Sequence, residues 1–195
     1  MQARTLMPKK LRILLALLIA LGCDSATSPS EPPLALPLTD RIVFQSDRSD
    51  PKWDIYAMKF DGSDVRRLTS SSLGETCPSV SPDGNWIAYY SHVGDPANSP
   101  PIYRLELMRA NGTDHLNLAP AIDPPYGCPV WSRASDAVEV TTLDVPSKSS
   151  DASSEQSRVF DLAGKQLATF ANWSYSITGF SPDGPELLGD AAACG

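Results

Sequence analysis

The tetrapeptide Ser81-Pro82-Asp83-Gly84 recurs verbatim at Ser181-Pro182-Asp183-Gly184. An altered copy, Trp131-Ser132-Arg133-Ala134-Ser135-Asp136, stands between them, so the leading serines are 51 and 49 residues apart. A second marker keeps the same spacing: Asp61-Gly62 and Asn111-Gly112 lie 50 residues apart, which aligns Ile55 with Leu105, Met58 with Met108 and Lys59 with Arg109. Self-similarity at a period of roughly 20–50 residues is the signature of stacked structural units. Each intact Ser-Pro-Asp-Gly copy is a turn by its chemistry, because Pro presets φ, Asp bonds its own backbone and Gly accepts φ > 0. An apolar residue precedes each copy (Val80, Trp131, Phe180), and Trp86-Ile87-Ala88-Tyr89-Tyr90 follows the first. The local reading is strand, turn, strand.

Taken in order, the first copy predicts strands over residues 41–46, 54–60 and 65–69, with no strand of the Ser-Pro-Asp-Gly kind before them. The second predicts strands over 77–81, 86–92, 102–110 and 115–119, with a Pro-rich loop at 94–101. The third runs from 128 to 171. Its strands are expected at 137–143, 158–162 and 166–170, with a polar loop over 144–156 and a turn at Ala163-Gly164. A fourth begins at 176–181, passes through its turn and fades into small residues after 185. The fold class is therefore all-β: an incomplete, propeller-like array of about three four-stranded antiparallel blades, since closed propellers use roughly 4–8.

The first 22 residues read as an address. Four basic residues, Arg4, Lys9, Lys10 and Arg12, precede an apolar run ending in Ala20-Leu21-Gly22-Cys23. That pattern is a signal peptide, and its run is short for a bilayer span. Its end resembles the bacterial lipobox, which implies lipidation at Cys23; an ordinary secretory peptide with an incidental Cys is the alternative. Removing it takes four of the 16 basic residues and none of the 23 acidic ones, leaving a net charge of about −11. So acidic a body excludes nucleic acid as a natural partner. Residues 23–40 are rich in Ser, Thr and Pro and are expected to be a tether, with the repeats occupying 41–195.

The repeat resembles the WD-like repeat of TolB-type β-propellers. The resemblance is carried by Ile42, Phe44 and Ser46; by Ile55, Tyr56, Met58, Asp61 and Gly62; by Arg66, Arg67, Leu68 and Thr69; and by Pro78 and Ser81 to Gly84. Val80 stands where the family usually has an aromatic residue. The resemblance implies an extracytoplasmic interaction platform, in the periplasm or on the cell surface. Its partner would be an unidentified envelope protein or small ligand, with the membrane reached through the lipid anchor. The same repeat also forms the propeller of prolyl-oligopeptidase-type serine peptidases, which is the alternative reading.

No catalytic residue, cofactor or metal is expected. His92 and His115 lack metal-ligand spacing, and no Gly-x-Ser-x-Gly elbow is present. Asp47, Asp50 and Asp54 form an acidic cluster without the spacing of a calcium loop, so a polar turn is the expectation. Cys77 and Cys128 occupy equivalent repeat positions. Outside the cytoplasm they can form a disulfide if their Cα atoms come within about 7 Å. Two buried, unbridged cysteines are the alternative.

Overall fold

Each tight turn returns the chain beside the strand just completed, so the polypeptide lays down one antiparallel sheet after another. The computed structural model describes residues 33–49, 52–93, 102–144, 154–171, 175–180 and 187–191. The first sheet holds β1 (Arg41–Ser46), β2 (Asp54–Lys59) and β3 (Arg66–Arg67) in that order. The second holds β4 (Glu75–Val80), β5 (Trp86–Val93), β6 (Ile102–Arg109) and β7 (Leu116–Ile122). The third holds β8 (Val130–Trp131), β9 (Ala137–Asp144), β10 (Ser154–Asp161) and β11 (Gln166–Ala171). A hairpin of β12 (Tyr175–Phe180) and β13 (Leu187–Ala191) follows. The expected all-β array is what the structure contains, including a first sheet of three strands.

The two four-stranded sheets share one register. Trp86 pairs with Arg109 and Ile87 with Met108 in the second sheet; Ala137 pairs with Asp161 and Val138 with Phe160 in the third. Strand alternation then assigns faces. Ile87 and Tyr89 pack with Met108 and Ala110 against Val43 and Ile55 of the first sheet and Leu68 just beyond it. Ala88 and Tyr90 turn the other way and join Leu105, Leu107, Trp131, Val138, Val140 and Phe160. The second sheet is thus buried on both faces. That is why its central strand reads as an unbroken apolar run rather than as an alternating one. Each large apolar side chain so buried contributes about 1.5–3 kcal/mol, available only because a neighbouring sheet covers it.

The altered third turn is altered in sequence but not in backbone path. In the second sheet Ser81 N donates to Trp86 O (2.9 Å) and Gly84 N to Ser81 O (2.8 Å). In the third, Ser132 N donates to Ala137 O (2.9 Å) and Ser135 N to Ser132 O (3.0 Å). Ser135 adopts φ +61°, close to the +69° of Gly84. Asp83 Oδ1 accepts the Ser81 hydroxyl at 2.6 Å, and Asp136, two repeat positions later, accepts the Ser132 hydroxyl at the same distance. The serine hydroxyl also accepts the amide of the next strand in both, from Trp86 N at 2.9 Å and Ala137 N at 3.1 Å.

Three expectations need correction. Residues 34–38 are not part of a free tether. Leu34 is buried, Leu36 and Leu38 pack on the core between the first two sheets, and Leu38 N donates to Gly84 O at 2.8 Å. Leu36 and Leu38 reach the same apolar surface, on either side of the cis bond between Leu36 and Pro37. The polar loop of the third copy is shorter than 144–156, because β9 continues through Asp144 and β10 starts at Ser154. The fourth copy does not fade after 185: Leu187–Ala191 pairs antiparallel with Tyr175–Phe180.

Candidate functional site

Of the repeat-turn residues, Ser81, Pro82, Asp83 and Gly84 form the turn between β4 and β5. It is tied to the corresponding turn of the third sheet, since Asp83 N donates to Ser135 Oγ at 3.0 Å. One residue before that third turn, Trp131 Nε1 donates to Ser79 O at 2.9 Å. These side chains serve joints between sheets. Ser181, Pro182, Asp183 and Gly184 lie outside the described residues, as do Cys23 and residues 1–32.

Cys77 and Cys128 are joined by a disulfide, with Cα atoms 5.0 Å apart. A register shift between Thr76 and Ser79 interrupts the β4–β5 ladder. Cys77 sits in it at φ +55°, its amide donating to Gln45 Oε1 at 2.7 Å. A bulge of this kind re-aims a side chain, and here it accompanies a sulfur that reaches the neighbouring sheet.

The feature with the richest polar chemistry is a cleft of about 500 Å³ between the second sheet and the segment that leads into it from the first. One wall is the segment linking β3 to β4, with Leu68, Thr69 and Ser71; the other carries Glu75, Tyr89, Ser91 and Glu106. Tyr89, Ser91 and Glu106 face the cleft because they share the strand faces of Ile87 and Met108. The Tyr89 hydroxyl donates to Glu106 Oε2 (2.9 Å) and the Ser91 hydroxyl to Glu106 Oε1 (2.8 Å). His115 Nδ1 lies 2.9 Å from the Tyr89 oxygen. On its other side the His115 ring places Nε2 3.3 Å from the Gly112 carbonyl oxygen, so both ring nitrogens have a polar neighbour. Burial and the Glu106 charge push the Tyr89 pKa up, keeping the phenol protonated. Glu75 is only 3% exposed. Its Oε1 accepts the Ser71 hydroxyl, while Oε2 has no hydrogen-bond partner. Burial raises its pKa, and the Asp54 and Glu106 charges add to that rise.

The other candidates disperse. His115 belongs to this network, whereas His92 stacks edge-on against Tyr103 at 4.5 Å on the opposite face. Asp54 is buried, and its Oδ2 sits 2.7 Å from Arg67 Nη2 without the alignment of a hydrogen bond. Asp47 is exposed and Asp50 lies outside the described residues. Among the described residues no group of three or more His, Cys, Asp or Glu side chains is placed to hold a metal ion.

A third buried carboxylate lies on β9. Glu139 is 2% exposed and accepts the Thr141 hydroxyl at 2.8 Å. Burial raises its pKa above the ordinary 4.5. Between the unfolded and folded values the native state therefore holds a proton that the unfolded chain has released. Stability from this residue falls as pH rises through that window. The variant Glu139→Gln keeps the acceptor without the charge. It is expected to unfold at higher urea than the parent at pH 7, with the gap closing toward pH 4. Parallel urea titrations at the two pH values check this, and an unchanged gap would refute it.

No protein-family model matches the chain. Over 88 residues it is 35% identical to the Tol-Pal system protein TolB of Desulfosudis oleivorans, covering 43% of this chain and 19% of that one. Over 149 residues it is 27% identical to the TolB homolog of Chlorobium chlorochromatii, covering 75% of this chain and 30% of that one. The chain thus spans less than a third of the length of these curated relatives. Among solved structures, TolB from Acinetobacter baumannii superimposes with a TM-score of 0.56 at 16% identity, over 82% of this chain and 38% of that one. An acylaminoacyl peptidase superimposes with a TM-score of 0.50 at 11% identity, over 71% and 24%. At those identities the two structures speak to fold alone. Repeats near 50 residues, sheets stacked face to face and likeness to TolB in both sequence and structure together support a partial β-propeller of the TolB type.

Proposed function

We propose that the chain is a non-catalytic, lipid-anchored binding module of the bacterial cell envelope, held outside the cytoplasm through Cys23. The observation that carries this reading is the likeness of the stacked repeats to TolB proteins, one of them named a Tol-Pal system protein. Loops and crevices around such a scaffold bind partners, while the stacked sheets keep them in place. The lipobox-like Ala20-Leu21-Gly22-Cys23 supports the anchor. A lipidated Cys23 holds strongly, each buried methylene contributing about 0.8 kcal/mol. The peptidase likeness favours a second reading, in which these sheets are the propeller of a hydrolase.

Expression of the full sequence in a bacterial host, followed by membrane fractionation and mass spectrometry, tests the anchor. The expected mature N-terminus is Cys23 carrying acyl chains, and Cys23→Ser releases the protein from the membrane fraction. An unprocessed Met1 in the soluble fraction would overturn it. Crosslinking in intact cells tests the binding role: a discrete envelope-protein adduct is expected. Peptidase activity of the purified full-length gene product would favour the hydrolase reading instead.

A further inference from the structure

We propose that the cleft between the second sheet and the segment linking β3 to β4 binds an ammonium or guanidinium group, received between the carboxylates of Glu75 and Glu106. The proposal goes beyond the envelope reading and stands without it, because the cleft belongs to the fold wherever the protein resides.

The first observation is the unpartnered oxygen. Glu75, a residue 3% exposed, lines the cleft, and its Oε2 has no well-aligned hydrogen-bond partner, although the Thr69 hydroxyl lies near the carboxylate. Buried polar atoms are almost always paired, and leaving one unpaired costs about 1–3 kcal/mol or more for a charged group. A donor arriving from the cleft removes that cost. The second observation is the preorganised carboxylate opposite. Two hydroxyls hold Glu106, one on each oxygen, and each oxygen keeps a further lone pair for an incoming donor. His115 fixes Tyr89 in turn, so the wall is set before any ligand arrives. Asp54, the third acid nearby, already has Arg67 at 2.7 Å. Arg104, two residues before Glu106, is not among the groups lining the cleft. Two carboxylates with hydroxyl neighbours suit N–H donors, and charge-assisted bonds of this type are the stronger class. An organic cation fits better than a metal, because no described set of three ligating side chains converges there.

Such a group can come from a free amine or from a peptide side chain, and the test separates the two. The protein is titrated with blocked tripeptides, acetyl-Gly-Arg-Gly-amide and acetyl-Gly-Lys-Gly-amide, with the neutral citrulline analogue and with free arginine. Binding is followed by NMR signals of the His115 ring and by calorimetry. Saturable shifts at His115 with a cationic probe, and at least tenfold weaker response with citrulline, are expected. Equal or stronger binding of the blocked peptides than of free arginine assigns the site to a protein side chain; stronger binding of free arginine assigns it to a small amine. Glu75→Gln and Glu106→Gln should each weaken binding about tenfold while the unfolding temperature stays within a few degrees of the parent. If either unfolds, Ser91→Ala, which loosens only one hydroxyl on Glu106, replaces it and should weaken binding less. No saturable response, equal response to arginine and citrulline, or shifts confined to residues away from the cleft would overturn the proposal. None of these outcomes bears on lipidation or location, so the two readings fail separately.

Discussion

Replacing Cys77 and Cys128 together by serine is expected to lower stability by about 4 kcal/mol, the loop-entropy value for a closed segment of about 50 residues. Their sequence separation is 51. At roughly 2–4 °C per kcal/mol for a body of this size, the unfolding midpoint should fall by about 8–16 °C. The effect comes mainly from freeing the unfolded chain, and it is large because the bridge joins neighbouring sheets rather than strands of one sheet. Thermal unfolding of the parent with and without reductant, beside the double-serine variant, checks it. Reduced parent and variant should coincide, both well below the oxidised parent. Equal midpoints for all three would mean that the bridge does not form in solution.

Gly84→Ala is expected to cost about 3 kcal/mol. Part of that is the left-handed backbone: Gly84 sits at φ +69°, where an alanine costs about 1 kcal/mol. The larger part is contact. A Cβ there would stand 2.9 Å from Leu38 O and 3.0 Å from Pro37 Cβ. Backbone on one side cannot give way cheaply, and overpacking of this kind costs about 1–3 kcal/mol. It would also strain the Leu38 N to Gly84 O bond that holds residues 34–38 to the body. Gly62→Ala is the control, at φ +81° with nothing within 4 Å of the added carbon. It should cost only the backbone part, about 1 kcal/mol. Midpoint losses of about 6–12 °C for the first and 2–4 °C for the second are expected. Equal losses would show that Leu38 does not press on this turn.

The repeats were legible because their punctuation is chemically demanding. Gly62, Gly112 and Gly164 all take φ near +80°, a value few other residues accept, so the same residue returns at each turn. The middle copy, Ser132 to Asp136, reads as altered because chemistry moved along the chain while geometry stayed. Ser135 takes the left-handed place of Gly84, and Asp136 supplies the carboxylate that Asp83 supplies in the second sheet. Reading letters position by position misses such an exchange. Residues 34–38 were hidden by their prolines, although Leu36 and Leu38 pack on the core. The cleft was not legible at all. Glu75, Tyr89, Glu106 and His115 sit on separate strands or turns, and only the pairing of Tyr89 with Glu106 and of Glu75 with Ser91 begins to gather them. One signal was available: Tyr89 and Ser91 are polar-tipped residues continuing the face of Ile87, an oddity on an otherwise apolar side.

The bonds from Trp131 to Ser79 and from Asp83 to Ser135 each span 52 residues, one full unit. Each ties a place in one unit to the matching place, or its immediate neighbour, in the next. A joint built this way carries no absolute address. Duplicating or deleting a whole unit recreates the same joint at the new boundary, whereas a short insertion within β5 or β9 throws every partner out of step. Growth by whole modules is therefore the route by which such an assembly changes length without inventing new contacts.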